Sequence, residues 1–491
     1  MMKVVLISDL HYAKERNLDL PARAGHFADT FLLRAVHRIN RVIKPDLVII
    51  SGDLINDPHG ADAPELLREL AGIIGLLTVP VIVVPGNHDP APEDFYRDLP
   101  RPVEFTDCKG IRFIPFCDIE TEGYNAVRSD GEQTRMRQLS TFDGPVVLIQ
   151  HTPLFLPGTA PSPYHYDNAE EIFAALPSER KIITLSGHYH AGFVPVTRGN
   201  VTAICAPALC ETPFRFAVLE ITPDGIGTYE TPALKLPDLP GLCDLHIHTR
   251  LAYCSENMEV ARTLELAQRF GLKKMAFCEH SAHLYWDRDS YKQGRYDTDG
   301  LDGHTIDRTG EYFALLADFL SQGGFYTGFE LDIDRTGHPV IFPEARRKAE
   351  LCLGAVHRLA NRADPVAAGN EFMFKTEALM RAGIQVLAHP FRVFRRAGLP
   401  CPEDLFVPVA RLLQQYGVAA EINYHTNDPE PEFFQECLRR GVKISFGSDS
   451  HNLYEVGELS PHLAFVGQLG VLDRLDEVLY TGPEKPKTST P

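Results

Sequence analysis

No stretch of the 491 residues approaches the run of about 20 apolar residues that a membrane-spanning helix needs. The ten cysteines contain no Cys-x-x-Cys pair, which speaks against a structural zinc framework or a disulfide scaffold and for buried thiols in a reducing compartment. Basic residues are scarce: 48 Lys and Arg stand against 66 Asp and Glu, a formal net charge of −18. Duplex nucleic acid is bound by Lys and Arg displacing counterions, so nucleic acid is the less favoured partner and a small substrate the favoured one. Clustered carboxylates have a second use as metal ligands, and bound cations would invert the local field. The opening MMKVVLISDLH passes from a lysine directly into a strand-like segment and does not read as a signal peptide, so a cytoplasmic protein without membrane attachment is expected.

What the chain does have is an ordinary globular composition, with 44% hydrophobic and 23% charged residues. It is too long for one hydrophobic core, and two domains are expected. Short apolar runs alternate with amphipathic stretches: VVLIS, a helical segment from about Phe27 to Ile43, DLVIIS, a helix from Pro64, then VIVVPG. The alternation runs on through VVLIQ, IITLS and FAVLEI. TPALKLPDLPG, from Thr231 to Gly241, then places three prolines in a segment without periodicity and reads as a linker. Beyond it LCDLHIH, a helix from Met258 to Phe270, KMAFCEH, a helix around Gly310 to Leu320, FYTGFELDI, QVLAHP, VAAEINY and VKISFGSDS restart the pattern. The expected division is a domain over 1–230, a linker over 231–240, a second α/β domain over 241–475 and a disordered tail over 481–491.

In the first half, five short segments place metal-type ligands just after apolar strands: Asp9 with His11, Gly52-Asp53, Gly86-Asn87-His88-Asp89, His151, and Gly187-His188-Tyr189-His190. Residues two apart on an extended strand point the same way, so Asp9 with His11 and His188 with His190 each offer two side chains to one pocket. Glycines at 52, 86 and 187 would let the backbone turn tightly beside an ion. Any one of these residues is as well explained by a capped turn, but five blocks in this order are not. A pair of divalent metals about 3.5–4 Å apart needs a bridging carboxylate among imidazoles and oxygen ligands, and Asp53 is the natural bridge.

These blocks resemble the calcineurin-like metallophosphoesterases, whose pattern is Asp-x-His, Gly-Asp, Gly-Asn-His-Asp/Glu, His and Gly-His-x-His. The resemblance implies a β-sandwich flanked by helices. It implies one metal held by Asp9, His11, Asp53 and His190, and a second held by Asp53, Asn87, His151 and His188. His88 would face the phosphate, stabilise charge and protonate the leaving oxygen, so His88 and Asp53 are the catalytic candidates. Within the superfamily the short blocks are most similar to the cyclic-nucleotide and general phosphodiesterase branch.

The second half opens with Asp244-Leu245-His246-Ile247-His248, again two imidazoles on one strand face. Strand-end residues Glu279-His280, Glu330, His357, His389, and Asp449 with His451 follow. Six histidines and three acids in such positions are not explained as satisfied core residues, because each unpaired polar group in a core costs stability. The blocks, and EINYHTNDPEPEFFQECLRRGVKISFGSDSH in particular, resemble the polymerase-and-histidinol-phosphatase (PHP) family in its histidinol-phosphatase-type branch. That implies a distorted TIM-like (β/α)7 barrel with up to three metals at the carboxyl ends of its strands. The implied ligands are His246, His248, Glu330 and Asp449 for one metal, Glu330, His357 and His389 for a second, and His280 and His451 for a third. Glu256 stands where the family has a further ligand of the third metal, usually Asp or His. Glu279 is a candidate partner for one of the histidines. The polar insert from Leu284 to Asp307, with the only tryptophan, is a candidate lid. Arg392 and Arg395, with neighbouring Arg396, are candidate phosphate binders.

The expectation is a bifunctional metal-dependent phosphoesterase. Its first domain hydrolyses a phosphodiester, a cyclic nucleotide or other small diester, and its second a phosphomonoester. Two metals are expected in the first site and two or three in the second, drawn from Mn, Fe, Zn or Co. The alternatives are an end-trimming nuclease on single strands, and a chain in which one domain has become a regulatory binding module.

Overall fold

The computed structural model describes residues 1–156 and 158–483, and the chain divides into two compact units, Met1–Lys235 and Leu236–Pro491. Of the tail expected at 481–491, residues 484–491 lie outside the described residues.

The strands of the first unit are β1 (Met2–Ile7), β2 (Leu47–Ile50), β3 (Val81–Val83), β4 (Thr106–Cys108), β5 (Ile111–Pro115), β6 (Ile119–Glu120), β7 (Ala126–Val127), β8 (Val146–Ile149), β9 (Ile182–Ser186), β10 (Phe193–Arg198), β11 (Val201–Cys205), β12 (Ala217–Thr222) and β13 (Gly225–Glu230). They form a five-stranded sheet in the order β13-β12-β1-β2-β3 and a six-stranded sheet in the order β10-β11-β9-β8-β5-β4, with β6 and β7 as a separate hairpin. β1, β2 and β3 run parallel, as do β5, β8, β9 and β11, while antiparallel strands close both edges of the second sheet and the β13 edge of the first. Alternate residues of both sheets, among them Val4, Leu6, Ile49, Phe113, Val147, Ile183 and Leu219, make one buried cluster, so the sheets pack face to face. The other face of the second sheet (Ile114, Leu148, Ile182) is covered by Met136 and Ile172, from helices Asp130–Leu139 and Ala169–Ala174. Burial on both faces explains why these strands read as continuous apolar runs.

In the second unit, β14 (Cys243–Ile247), β15 (Lys274–His280), β16 (Phe325–Leu331), β17 (Leu351–Gly354), β18 (Val386–Leu387), β19 (Ala419–Asn423) and β20 (Ile444–Gly447) follow one another in one parallel sheet. A bridge from Ile247 to Ser450 returns the last strand to the first, giving a nearly closed barrel. Ala276, Cys278 and His280 share a strand face, as do Tyr326 and Glu330. The lower members of these rows belong to a buried apolar cluster, and the upper members are the metal-type residues. The insert after Leu284 is anchored rather than free: Trp286 and Tyr285 are fully buried, and buried Asp297 accepts from buried Lys375 at 2.6 Å.

His462, on helix Ser460–Gln468, donates from Nε2 to the Gly447 carbonyl at 3.0 Å and is 1% exposed. Burial pushes its imidazole down to about 4 from an ordinary 6.5. A depressed folded value means that the unfolded chain takes the proton first. The stabilising contribution is therefore complete above about pH 6.5 and falls away towards pH 4, by roughly 3 kcal/mol. His462→Gln keeps a donor and removes the titration. Denaturant unfolding between pH 7 and 4.5 should therefore show a shallower loss of stability in the variant than in the wild type.

Candidate metal centres

Both clusters are built where the chain leaves a strand. Asp9 (φ 57°) and His11 (φ 46°) follow β1, Asp53 (φ 55°) follows β2 and His188 (φ 69°) follows β9; in the second unit His389 (φ 32°) and Asp449 (φ 55°) have the same left-handed backbone. These six are half of the non-glycine residues with positive φ among the described residues. Each such residue costs on the order of 1–3 kcal/mol, and the cost is tolerated where the backbone must aim a side chain. Gly52 itself has φ 94°, and a Cβ on Gly86 would lie 2.2 Å from Asp53 Oδ1, so the Asp53 loop closes only over glycine.

In the first unit Asp53 Oδ2 stands 3.5 Å from His11 Nε2 and 3.3 Å from His151 Nε2, between two groups of ligands. On one side are Asp9, His11 and His190, with His190 Nε2 3.0 Å from His11 Nε2 and 3.5 Å from Asp9 Oδ1. On the other are Asn87, His151 and His188, where His151 Nε2 lies 3.1 Å from both Asn87 Oδ1 and His188 Nδ1. The tautomers follow from the outer nitrogens. His151 Nδ1 donates to the Ser51 carbonyl at 2.6 Å, His188 Nε2 to the Tyr124 carbonyl at 2.9 Å, and His190 Nδ1 to Glu211 at 2.6 Å. Each neutral ring therefore turns a lone pair inward, and His151 and His188 face each other lone pair to lone pair. Such contacts are repulsive without a cation between them, and this is the arrangement of imidazoles that ligate a metal and are fixed from behind.

His88 is edge-on to His11, with ring centroids 4.7 Å apart. Its backbone N–H donates to Asp53 Oδ1 at 2.8 Å and its Nδ1 to the Asn56 carbonyl at 2.9 Å, leaving Nε2 for the pocket. Asp89 is a clamp rather than a ligand: it accepts from the amides of Leu54, Ile55 and Gly86, and burial, with the Asp53 charge, pushes it up to about 7.

In the second unit the fully buried Glu330 takes the central position. Oε1 is 2.7 Å from His389 Nε2 and 3.1 Å from His357 Nε2; Oε2 is 2.6 Å from His280 Nδ1, 3.5 Å from His246 Nε2 and 3.7 Å from His248 Nε2. Asp449 Oδ1 is 2.9 Å from His248 Nε2 and 3.6 Å from His246 Nε2. His246 Nδ1 donates to Glu421 at 2.7 Å, His357 Nδ1 to Asp332 at 2.7 Å, and His451 Nδ1 to the Asp449 carbonyl at 2.7 Å. Their Nε2 lone pairs again point inward, and His451 Nε2, like Glu330 Oε2, is buried without a hydrogen bond. His248, His280 and His451 form one potential cation group, and Cys254, His280 and His283 another. The donor set of imidazoles, carboxylates and one amide fits divalent cations in both units.

Two expectations, for Glu256 and Arg395, change on contact with the structure, while Glu279 does stand beside a histidine. Glu256 carries an exposed carboxylate that accepts from Asn452, while its amide donates to the His451 carbonyl, so the chain turns this side chain outward. Arg395 is 47% exposed and paired with Asp428 and Glu430, whereas Arg392 is buried and donates to Asp449 Oδ2 at 2.6 Å. Glu279 is fully buried, accepting from Thr249 and lying 3.5 Å from His248 Nδ1.

Sequence reading passed over the acids that hold the rings from behind: Glu211, Asp332 and Glu421. Asp332 does carry a signal, as an acid just past β16 beside the singled-out Glu330, whereas Glu421, in the middle of β19, and Glu211 carry none. Removing such a partner costs about 10–100-fold in metal affinity. Glu211→Ala should weaken one class of cation in the first unit by that factor, measured by equilibrium dialysis.

Residues 2–192 match the family model described as calcineurin-like phosphoesterase. A probable cyclic nucleotide phosphodiesterase of Xenorhabdus bovienii is 32% identical over 88 residues, 18% of this chain and 34% of that protein. An uncharacterized protein of Schizosaccharomyces pombe is 32% identical over 96 residues, 18% of each chain. The chain thus spans about a third or less of the length of these relatives. Among solved structures, a dimetal phosphatase from Danio rerio aligns with 47% of this chain and 98% of its own at 17% identity and a TM-score of 0.40. A Listeria monocytogenes structure provisionally described as a histidinol phosphatase aligns with 44% of this chain and 97% of its own at 13% identity and a TM-score of 0.35. The N-terminal part of this chain is a calcineurin-like metallophosphoesterase domain.

Proposed function

We propose that the protein is a bifunctional metal-dependent phosphoric ester hydrolase, with a diesterase site in the first unit and a PHP-type monoesterase site in the second. The observation that carries this reading is the pair of clusters in which one buried carboxylate, Asp53 or Glu330, stands between two sets of inward-facing imidazole lone pairs. The first site takes one cation on Asp9, His11, Asp53 and His190 and a second on Asp53, Asn87, His151 and His188. The second site takes them on His246, His248, Glu330 and Asp449, on Glu330, His357 and His389, and on His280 with His451. Bound there, divalent cations supply the Lewis acidity and water activation that phosphate-ester hydrolysis requires.

The protein's own groups do the rest. The Asn56 carbonyl fixes the Nδ1–H of His88, so Nε2 is the atom that carries an exchangeable proton to the leaving oxygen. Arg392 braces Asp449 with Nη1 and directs Nη2 towards His357 Nε2 at 3.5 Å, which puts a fixed guanidinium beside the second cluster for phosphate oxygens. The relationship to a protein described as a probable cyclic nucleotide phosphodiesterase supports a small diester for the first site.

The test is hydrolysis by the full chain, loaded with manganese, of a model phosphodiester, a model phosphomonoester, cyclic AMP, AMP, histidinol phosphate and a short oligonucleotide. Turnover of both a diester and a monoester supports the reading. Turnover of the oligonucleotide alone would replace it with the nuclease reading.

A further inference from the structure

A cavity of about 350 Å³ opens beside the Asn87 and His151 side of the first cluster. Pro90, Pro92, Ile119 and Ala126 give it apolar walls, and no lysine or arginine lines it among the described residues. A second phosphate on the substrate would find no counter-charge there.

Apart from the metal-side residues Asn87, Asp89 and His151, its built polar feature is Asp118, whose side chain is 5% exposed. Arg128, 0% exposed, grips this carboxylate from behind, Nε donating to Oδ1 at 3.0 Å and Nη2 to Oδ2 at 2.7 Å. The Tyr166 hydroxyl donates to Oδ2 at 2.5 Å. The guanidinium is itself fixed by Gln150 Oε1 at 3.2 Å and lies 3.6 Å from the centroid of the Phe116 ring. Oδ2 is therefore fully used, while Oδ1 accepts a single hydrogen bond and keeps a lone pair. A buried arginine is an expensive support. Holding one acceptor rigid at the wall of a cavity beside the metal ligands is what it accomplishes.

We infer that this cavity receives the non-reacting arm of the phosphodiester, and that Asp118 Oδ1 selects an arm that is compact, not anionic and bears a hydrogen-bond donor, a hydroxyl or an ammonium. This rests on the diesterase reading of the first unit. It names Asp118 as a specificity residue and Arg128 and Tyr166 as the residues that position it.

The test uses 4-nitrophenyl phosphodiesters whose second arm is propyl, 3-hydroxypropyl or 3-aminopropyl, with the full metal-loaded chain. One donor-bearing arm should exceed propyl in kcat/KM by about tenfold or more, the size a hydrogen bond to a carboxylate gives; which of the two does so identifies the donor. In Asp118→Asn the ratio should fall to within about twofold of unity. A preserved ratio, even with lower rates on all three esters, would mean a structural role and overturn the inference. A readout independent of turnover is alkylation of Cys117, which lines the same cavity and is exposed, followed by peptide mass spectrometry. 3-Hydroxypropyl or 3-aminopropyl phosphate should protect Cys117 where propyl phosphate does not, and equal protection by all three would overturn the inference. If no diester is turned over, the diesterase reading fails by itself, and the protection result still decides what the cavity binds.

Discussion

Asp53→Asn should abolish diester hydrolysis by the full chain, lowering kcat/KM by on the order of 10³-fold or more, equivalent to about 4 kcal/mol of transition-state stabilisation. The reason is its position: Oδ2 lies within 3.5 Å of His11 Nε2 and of His151 Nε2, the inward nitrogens on either side. An amide at this point withdraws the one negative charge shared by both groups and offers a donor where lone pairs converge. The same change also disturbs Oδ1, which accepts the amide of His88 and so sets the ring that carries the proton. Monoester hydrolysis should be unaltered in this variant. Parallel kinetics on the two model esters check both statements.

Glu330→Gln should have the converse effect, silencing monoester hydrolysis to a similar extent and leaving diester hydrolysis in place. Five histidines lie within 3.7 Å of this carboxylate, which is fully buried. Imidazoles converging on a neutral amide have neither charge nor cation to offset their mutual repulsion. The wild type should gain thermal stability when manganese is added, since a ligand that binds only the folded state contributes RT ln(1 + [L]/Kd), about 2.7 kcal/mol at a hundred times Kd. Much of that gain should vanish in Glu330→Gln. Thermal unfolding with and without manganese, in both proteins, measures it.

The strands and the ligands at their ends were legible because both depend on local order. His246 with His248 and His188 with His190 are visible as pairs two apart, and six of the seven barrel strands were marked by an apolar run, all but β17. The helices read from about Phe27 and from Met258 begin at Ala28 and Val260, within the slack that fraying ends always leave. What could not be read depends on which distant residue arrives behind a given ring. Glu211 behind His190, Glu421 behind His246 and Arg128 behind Asp118 are products of the packed fold, and no spacing announces them. Glu256 and Arg395 were misplaced for a related reason. Register put them near the cluster, but an Asn452 amide and the acids Asp428 and Glu430 claim their side chains.

The central claim is that two separate metal centres occupy one chain, and the most direct measurement is metal content per chain by plasma mass spectrometry. Wild type, Asp53→Asn and Glu330→Gln would be loaded with manganese and desalted. The wild type should hold about four cations or more, two of them lost in Asp53→Asn and the remainder lost in Glu330→Gln. A wild type holding only about two, or a single substitution that empties the whole chain, would contradict two independent centres.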